Sequence, residues 1–556
     1  MDATTNDGWR MTGRGPARAA LAALLLSLVA SCAAMDRTSD SRSAGSAFGG
    51  QSFDNNATPT GSGLTPPQVS TNVSFGGAQD VGFMRGQLEQ GLVPSVDALD
   101  APGFFAEHHI ELPSAACGQR ICLQPMLAVM GNLINGNNCT MLHLGLNSPI
   151  AADPGSRPPL SLAVVVDVSG SMVGRKLDFV RDGLSQLIDG LRDVDELAII
   201  TYSDAARVLL PMTGVELERA SMRQAVETLQ AGGATNLSAG LVAGYREVLA
   251  NFDSGRQNRV ILLSDGNPTA GETGTAQILD TSWGYNSDGI GLTTIGLGAD
   301  FNIDLMRSLA QQADGNFYFL EDVGAVDEVF QEELSFFVVP VALDLELSLT
   351  AGESYEFGRA LGAPMWTDAP QGGFLELPGV FIAHRESADD VTADDGRRGG
   401  GSSLLVELMP RVGAGAGATE GGASVATVEL SFRDPTNGEM VQDVVDVRYP
   451  FAPGELVSSG FFEAERIESV QKSFVMLNIY VGMETAIRAF HSGEADTQTM
   501  DGLENLIAAV EDYNDEVGDK DVELDLELLQ MLRDNLGDQG LRSSSEVVAR
   551  DPWPAD

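Results

Sequence analysis

From residue 159 to about 336 the chain alternates two hydrophobic patterns. Short, unbroken apolar runs rich in Val, Ile and Leu give way to stretches where apolar residues return at helical spacing. The first pattern is that of strands buried on both faces, the second that of helices with one buried stripe. Strands are predicted at Leu160–Asp167, Glu196–Tyr202, Arg207–Leu210, Arg259–Ser264, Gly291–Leu297 and Asn316–Leu320. Helices are predicted at Lys176–Leu191, Leu217–Leu229, Leu237–Asn251, Thr275–Ser287, Ile303–Gln312 and Val323–Leu334. Strand and helix in turn give an α/β fold with a doubly wound, mostly parallel sheet. The Arg207 strand follows its predecessor too closely for a crossover, so it is assigned to an antiparallel edge.

The pattern changes on both sides of this block. Over residues 337–450 the period drops to two: Val425, Thr427, Glu429 and Ser431 alternate with Ala426, Val428, Leu430 and Phe432. That is a strand with one buried face, and its neighbours between Gly, Asp and Pro turns predict an antiparallel β-sandwich. Residues 77–158 carry a short helix near Gly82–Leu92, then two apolar runs, Ile121–Val129 and Cys139–Leu146, around a Gly/Asn turn. Strands before and after the α/β block suggest that the block is inserted into the sandwich. Residues 451–540 return to helical spacing and predict a helical hairpin or small bundle, with a tail over 541–556. The stretches 389–401 and 413–422 read as exposed loops.

Composition adds an envelope setting. Arg10, Arg14 and Arg18 precede a short apolar core, Ala19–Leu28, which is too short to span a bilayer. It ends in Val29-Ala30-Ser31-Cys32, which resembles the bacterial lipobox. Residues 1–31 therefore read as a lipoprotein signal peptide, with Cys32 as the lipid-modified first residue of the mature chain. Ala33 in the next position favours the outer over the inner membrane. Residues 32–76, rich in Ser, Gly, Thr and Asn, read as a flexible tether. The remaining cysteines are Cys117, Cys122 and Cys139. In an exported chain Cys117 and Cys122 can close a small loop, with Cys139 an alternative partner of either. Against 33 Lys and Arg stand 79 Asp and Glu, a net charge of −46. Such acidity argues against nucleic acid and against adsorption to anionic lipid, leaving membrane contact to the lipid anchor.

The chemistry gathers where apolar strands end. Leu162–Val166 breaks into Asp167-Val168-Ser169-Gly170-Ser171, a carboxylate and two hydroxyls at alternate positions. Ligands of open α/β sheets bind outside the carboxyl ends of strands. Oxygen donors of this type suit a hard divalent cation. Taken alone, Asp167 and Ser169 could equally cap the following helix, and Asp265-Gly266 could be a turn.

This stretch resembles the metal-ion-dependent adhesion site of the von Willebrand factor type A family, whose signature is D-x-S-x-S. That family adds a threonine and a second aspartate from later loops. Thr235, in Gly232-Gly233-Ala234-Thr235-Asn236-Leu237, and Asp265, after the run Val260–Ser264, stand in the right order for them. The resemblance covers residues 159–336. It implies that Ser169, Ser171 and Thr235 bind the metal directly and that Asp167 and Asp265 act largely through water. It further implies Mg²⁺, replaceable by Mn²⁺ or Ca²⁺, and a protein partner that offers an acidic residue as the last ligand. The β-rich flanks look similar to those of exported bacterial type A proteins of the inter-alpha-inhibitor-like kind.

No enzyme is expected. The histidines are His108, His109, His143, His384 and His491, none of them within 159–336, and neither a G-x-S-x-G elbow nor a P-loop is present. Asp512, Asn514, Glu516 and Glu523 have EF-hand-like spacing, but Gly518 falls one place late, so an acidic helix–helix loop is the expectation. The predicted function is a cell-envelope lipoprotein whose type A domain binds a protein through a divalent cation. A scaffold subunit with a structural or degenerate site is the alternative.

Overall fold

The computed structural model describes residues 70–544, except 80, 151–156, 299–300, 314, 321–328, 331–339, 384, 386, 390–396, 412–421, 451–459 and 463–465. The signal peptide, Cys32, the tether up to residue 69, most of the predicted Val323–Leu334 helix, much of both exposed loops and the tail beyond 544 lie outside the described residues.

In chain order the first elements are β1 (Thr71–Ser74), β2 (Gly77–Ala78), α1 (Gly82–Glu89), α2 (Ala101–Ala106), β3 (Cys122–Gly131) and β4 (Asn138–Ser148). The α/β block follows with β5 (Leu160–Asp167), α3 (Arg175–Gly190), β6 (Glu196–Tyr202), β7 (Ala206–Gly214), α4 (Val215–Glu227) and α5 (Leu237–Ala250). It continues through β8 (Gln257–Ser264), α6 (Thr275–Asn286), β9 (Gly291–Leu297), α7 (Ile303–Gln311) and β10 (Asn316–Leu320). Next come β11 (Pro340–Ala351), β12 (Tyr355–Leu361), β13 (Thr367–Ala369), β14 (Gly372–Ile382), β15 (Ser403–Pro410), β16 (Ser424–Arg433) and β17 (Met440–Arg448). The chain closes with β18 (Gly460–Phe462), α8 (Ile467–Ser492), α9 (Thr497–Val517) and α10 (Lys520–Asp538).

The α/β sheet runs β2-β10-β9-β8-β5-β6-β7, parallel except for the edge strand β7. The inner strand β5, between β8 and β6, is buried at every position. Leu162, Val164 and Val166 pack with α3 and α4 on one face, while Ala163 and Val165 pack with α5 and α7 on the other. That alternation across the pleat is why the strand reads as one apolar run. The edge strand is longer than its sequence suggests and bulges where it pairs with β6.

The second sheet is antiparallel and folds over its own core. One half is β12-β15-β4-β3-β18 and the other β14-β11-β16-β17, with β1 pairing β4 on one side and β14 on the other. Leu142, Leu144, Leu404 and Val406 of the first half share a core with Leu347, Leu377, Val428 and Leu430 of the second. Strands β3 and β4 precede the α/β block, yet β4 pairs with β15 beyond it. Residues 71–74, read from composition as the end of a tether, are strand β1. Strand β14, Gly372–Ile382, runs unbroken through Pro378-Gly379.

The outer face of the first half-sheet carries α8–α10. Met126, Ala128, Met130 and Met141 meet Phe474, Leu477 and Val481 of α8, and α9 and α10 complete that core. Helix α9 runs to Val517 and α10 starts at Lys520, with left-handed Gly518 ending one helix and Asp519 capping the next. The EF-hand-like residues lie on these helices rather than in a calcium loop. Cys117 and Cys122 are joined as a disulfide. Among the described residues no helix is long and apolar enough to cross a membrane.

Beneath the helices lies a buried ionic cluster. Arg385 pairs with Asp521 at 2.9 Å, Arg397 with Glu107 at 2.6 Å and with Asp525 at 2.7 Å. Lys472 reaches Asp519 at 2.7 Å and Asp521 at 2.8 Å. His108 sits between the Phe104 carbonyl and Asp525, at 2.8 and 2.7 Å.

Candidate metal centre

Three loops converge at the carboxyl edge of the α/β sheet. The turn after β5 holds Asp167, Ser169 and Ser171, the loop before α5 holds Thr235, and the turn after β8 holds Asp265. Backbone bonds tie the first two: the Gly170 N–H donates to the Gly233 carbonyl at 3.0 Å and the Gly232 N–H to the Val168 carbonyl at 2.7 Å. Gly233 has φ +95°, and a Cβ there would stand 2.6 Å from Asp204 Oδ2, so that crossing needs a glycine. The Thr269 N–H donates to the Thr235 carbonyl at 2.9 Å, which binds the Thr235 loop to the segment after Asp265.

Within the site the donors form a chain. Asp167 accepts from the Ser169 N–H at 2.8 Å and from the Ser264 hydroxyl at 3.1 Å. The Ser169 and Ser171 hydroxyls are 3.0 Å apart, and Ser171 donates to Asp265 Oδ1 at 2.7 Å. Lys176, in the first turn of α3, donates to Asp265 Oδ2 at 2.6 Å. Asp167, Ser169, Thr235 and Asp265 are buried, and Ser171 is exposed at the rim. All five predicted residues thus lie in the three converging loops. Asp204 lies in the loop after β6 and accepts the Ala234 N–H at 3.2 Å, and Asn236 caps α5, accepting from the Ala239 N–H at 3.1 Å.

Burial pushes the Asp167 carboxyl above its ordinary range, and the nearby Asp265 charge pushes the same way; the Ser169 and Ser264 donors oppose both. Burial and the Asp167 charge likewise hold the Tyr202 phenol protonated, donating to the Leu263 carbonyl. Two desolvated carboxylates flanked by neutral hydroxyls fit a hard divalent cation, which would relieve the cost that raises Asp167.

Sequence reasoning missed Ser264, Thr269 and Lys176. Ser264 orients Asp167, and Thr269 accepts the Thr235 N–H at 3.0 Å. Their signal is proximity alone: Ser264 precedes Asp265 and Thr269 follows it by four residues. Lys176 looks like any lysine at a helix start. The histidines at 108, 143 and 491 lie away from this site, bonded to Asp525, Ser473 and the Pro94 carbonyl.

A mostly parallel sheet of this order, with a carboxylate–hydroxyl turn after the inner strand β5, defines a doubly wound α/β domain. Residues 161–332 match the von Willebrand factor type A domain, and the chain therefore carries a domain of that family. Two curated relatives are similar over more of the chain. The uncharacterized protein YfbK of Escherichia coli is 29% identical over 45% of this chain and 42% of its own length. The uncharacterized protein sll0103 of Synechocystis is 31% identical over 52% of this chain and 65% of its own. The chain thus spans less than two thirds of either relative. Among solved structures, a von Willebrand factor type A protein from Catenulispora acidiphila aligns with 75% of this chain and 89% of its own, at 16% identity and a TM-score of 0.48.

Proposed function

We propose that this protein is a lipid-anchored component of the bacterial cell envelope, on the outer rather than the inner membrane, whose type A domain grips a protein partner through a divalent cation. Ser169, Ser171 and Thr235 would supply neutral oxygen ligands, and Asp167 and Asp265 the charge, acting through water. A cation held by so few charges stays electrophilic and accepts a carboxylate oxygen from the partner. Mg²⁺ is the first candidate, with Mn²⁺ and Ca²⁺ as substitutes.

The observation that carries this reading is the chain of contacts from Ser264 through Asp167, Ser169 and Ser171 to Asp265, drawn from separate strands onto one sheet edge. The test is titration calorimetry of the mature chain with Mg²⁺ and Mn²⁺ beside Asp167→Ala. Binding that disappears in the variant supports the reading; the absence of binding to the wild type counts against it. For the anchor, Cys32→Ser should release the protein from membranes, and unchanged membrane association would sink that part.

A second reading has its own observation. Lys176 already pairs with Asp265, so that buried carboxylate has a counter-charge without any metal. Partner capture that survives EDTA would favour it.

A further inference from the structure

Lys176 is the one cation drawn into direct contact with the candidate metal centre among the described ion pairs of Asp167 and Asp265. Its Nζ stands 2.6 Å from Asp265 Oδ2, and Asp265 is wholly buried while the lysine is 29% exposed. The other oxygen of Asp265 already accepts the Ser171 hydroxyl at 2.7 Å. Both Asp265 oxygens are thus held by protein donors, which suits a carboxylate that meets a metal through water rather than directly.

The fold makes room for this arrangement. The lysine stem passes over Gly298, where the chain leaves β9 with φ +75°. A Cβ at that position would lie 2.9 Å from Lys176 Cε. A larger residue at 298 would displace the lysine from the carboxylate.

We propose that Lys176 is a built-in counter-charge of the metal centre, one that fixes Asp265 in place and keeps the divalent cation weakly held. The inference rests on reading these residues as a metal centre. Two carboxylates give the bare site a charge of two minus, and Lys176 reduces it to one minus. A fixed ammonium repels an entering cation and attracts an entering carboxylate. Metal binding is therefore weak in the protein alone and strengthened by an acidic partner. By linkage, whatever factor the partner adds to metal affinity, the metal adds to partner affinity. Without metal, the same ammonium prevents Asp265 from being left as an uncompensated buried charge.

The experiment compares the mature wild type with Lys176→Met and Lys176→Gln, using Mn²⁺ alone as the ligand. Glutamine keeps a donor for Asp265 but removes the charge, so it separates the two contributions. Calorimetry should show both variants binding Mn²⁺ tenfold or more tightly than the wild type. Thermal unfolding in EDTA should find the variants less stable than the wild type, with a larger rise in Tm on adding Mn²⁺. Equal or weaker Mn²⁺ binding in both variants overturns the inference. So does failure of both to fold even with Mn²⁺, which would make Lys176 a structural ion pair. Folded proteins that all ignore Mn²⁺ would instead remove the metal-centre reading, and this inference with it.

Discussion

Two places in this molecule gather buried carboxylates, and they treat them oppositely. Beneath the helices, Glu107, Asp519, Asp521 and Asp525 are matched by Arg385, Arg397, Lys472 and the half-buried Arg85. At the sheet edge, Asp167 is met by neutral donors and Asp265 by Lys176. The consequence shows in proton affinity. Burial alone would raise Glu107, yet Arg397, Arg85, the Val81 N–H and His108 bring it down to about 2. In Asp167 burial wins and the carboxyl rises. A balanced cluster is a fastening; a site with surplus charge stores a demand for a cation.

This contrast can be broken at either end. The largest effect is expected from Asp521→Ala, which strands the buried Arg385 charge, leaves Lys472 with Asp519 alone and removes the acceptor of the His109 N–H. Denaturant unfolding should show a loss of about 3–5 kcal/mol. Asp167→Ala should leave stability nearly unchanged or improved in EDTA while weakening Mn²⁺ binding about 100-fold, roughly 2.7 kcal/mol by calorimetry. If Asp167→Ala unfolds the protein instead, the two regions do not differ as described. Thr235→Ala should cost about tenfold in Mn²⁺ affinity with the fold intact, since its backbone bonds to Thr269 remain.

The smallest effect is a pH slope. Burial drives His143 down to about 3, and burial together with Lys472 and Arg385 drives His109 down to about 4. A histidine depressed in the folded state is neutral there while its unfolded counterpart takes a proton, so stability is lost as pH falls below about 6.5. One such group costs about 1 kcal/mol by pH 6. Further loss follows as pH falls from 4.5 towards 2, where Glu107 is ionised only in the folded state. Thermal melts from pH 7.5 to 5.5 should show a shallower decline in His143→Leu than in the wild type.

The α/β domain was legible because its inner strands are buried on both faces and leave no ambiguity of side. Leu160–Asp167, Glu196–Tyr202, Gly291–Leu297 and Asn316–Leu320 occupy the strands predicted. Elsewhere local signals misled. Pro378 and Gly379 look like a break, but β14 runs straight through them. On its far side β14 pairs β13 up to Phe374 and β1 from Phe381, so the proline between needs no N–H partner. Strand β1 has a single large apolar residue, Val73, and its place is decided by two distant strands. At the candidate site, Asp167, Ser169 and Ser171 announce themselves by spacing and Thr235 and Asp265 by resemblance. Lys176 does neither, because its role depends on a loop about 90 residues away in sequence, at Asp265.

Strand β2 is only Gly77–Ala78, yet it extends the α/β sheet by pairing with β10, just after β1 has joined both halves of the other sheet. The α/β domain is already held by two covalent connections, entry and exit; this pairing adds a third fixed point. A body hinged at two neighbouring strands can swing, whereas one pinned at three cannot turn freely about any of them. Tension applied at residue 70 would also divide at once, loading one sheet through β1 and the other through β2. The sheet edge that holds the candidate site is therefore tied to the antiparallel sheet at a third point, and a load at residue 70 is felt in the same sheet that carries that edge.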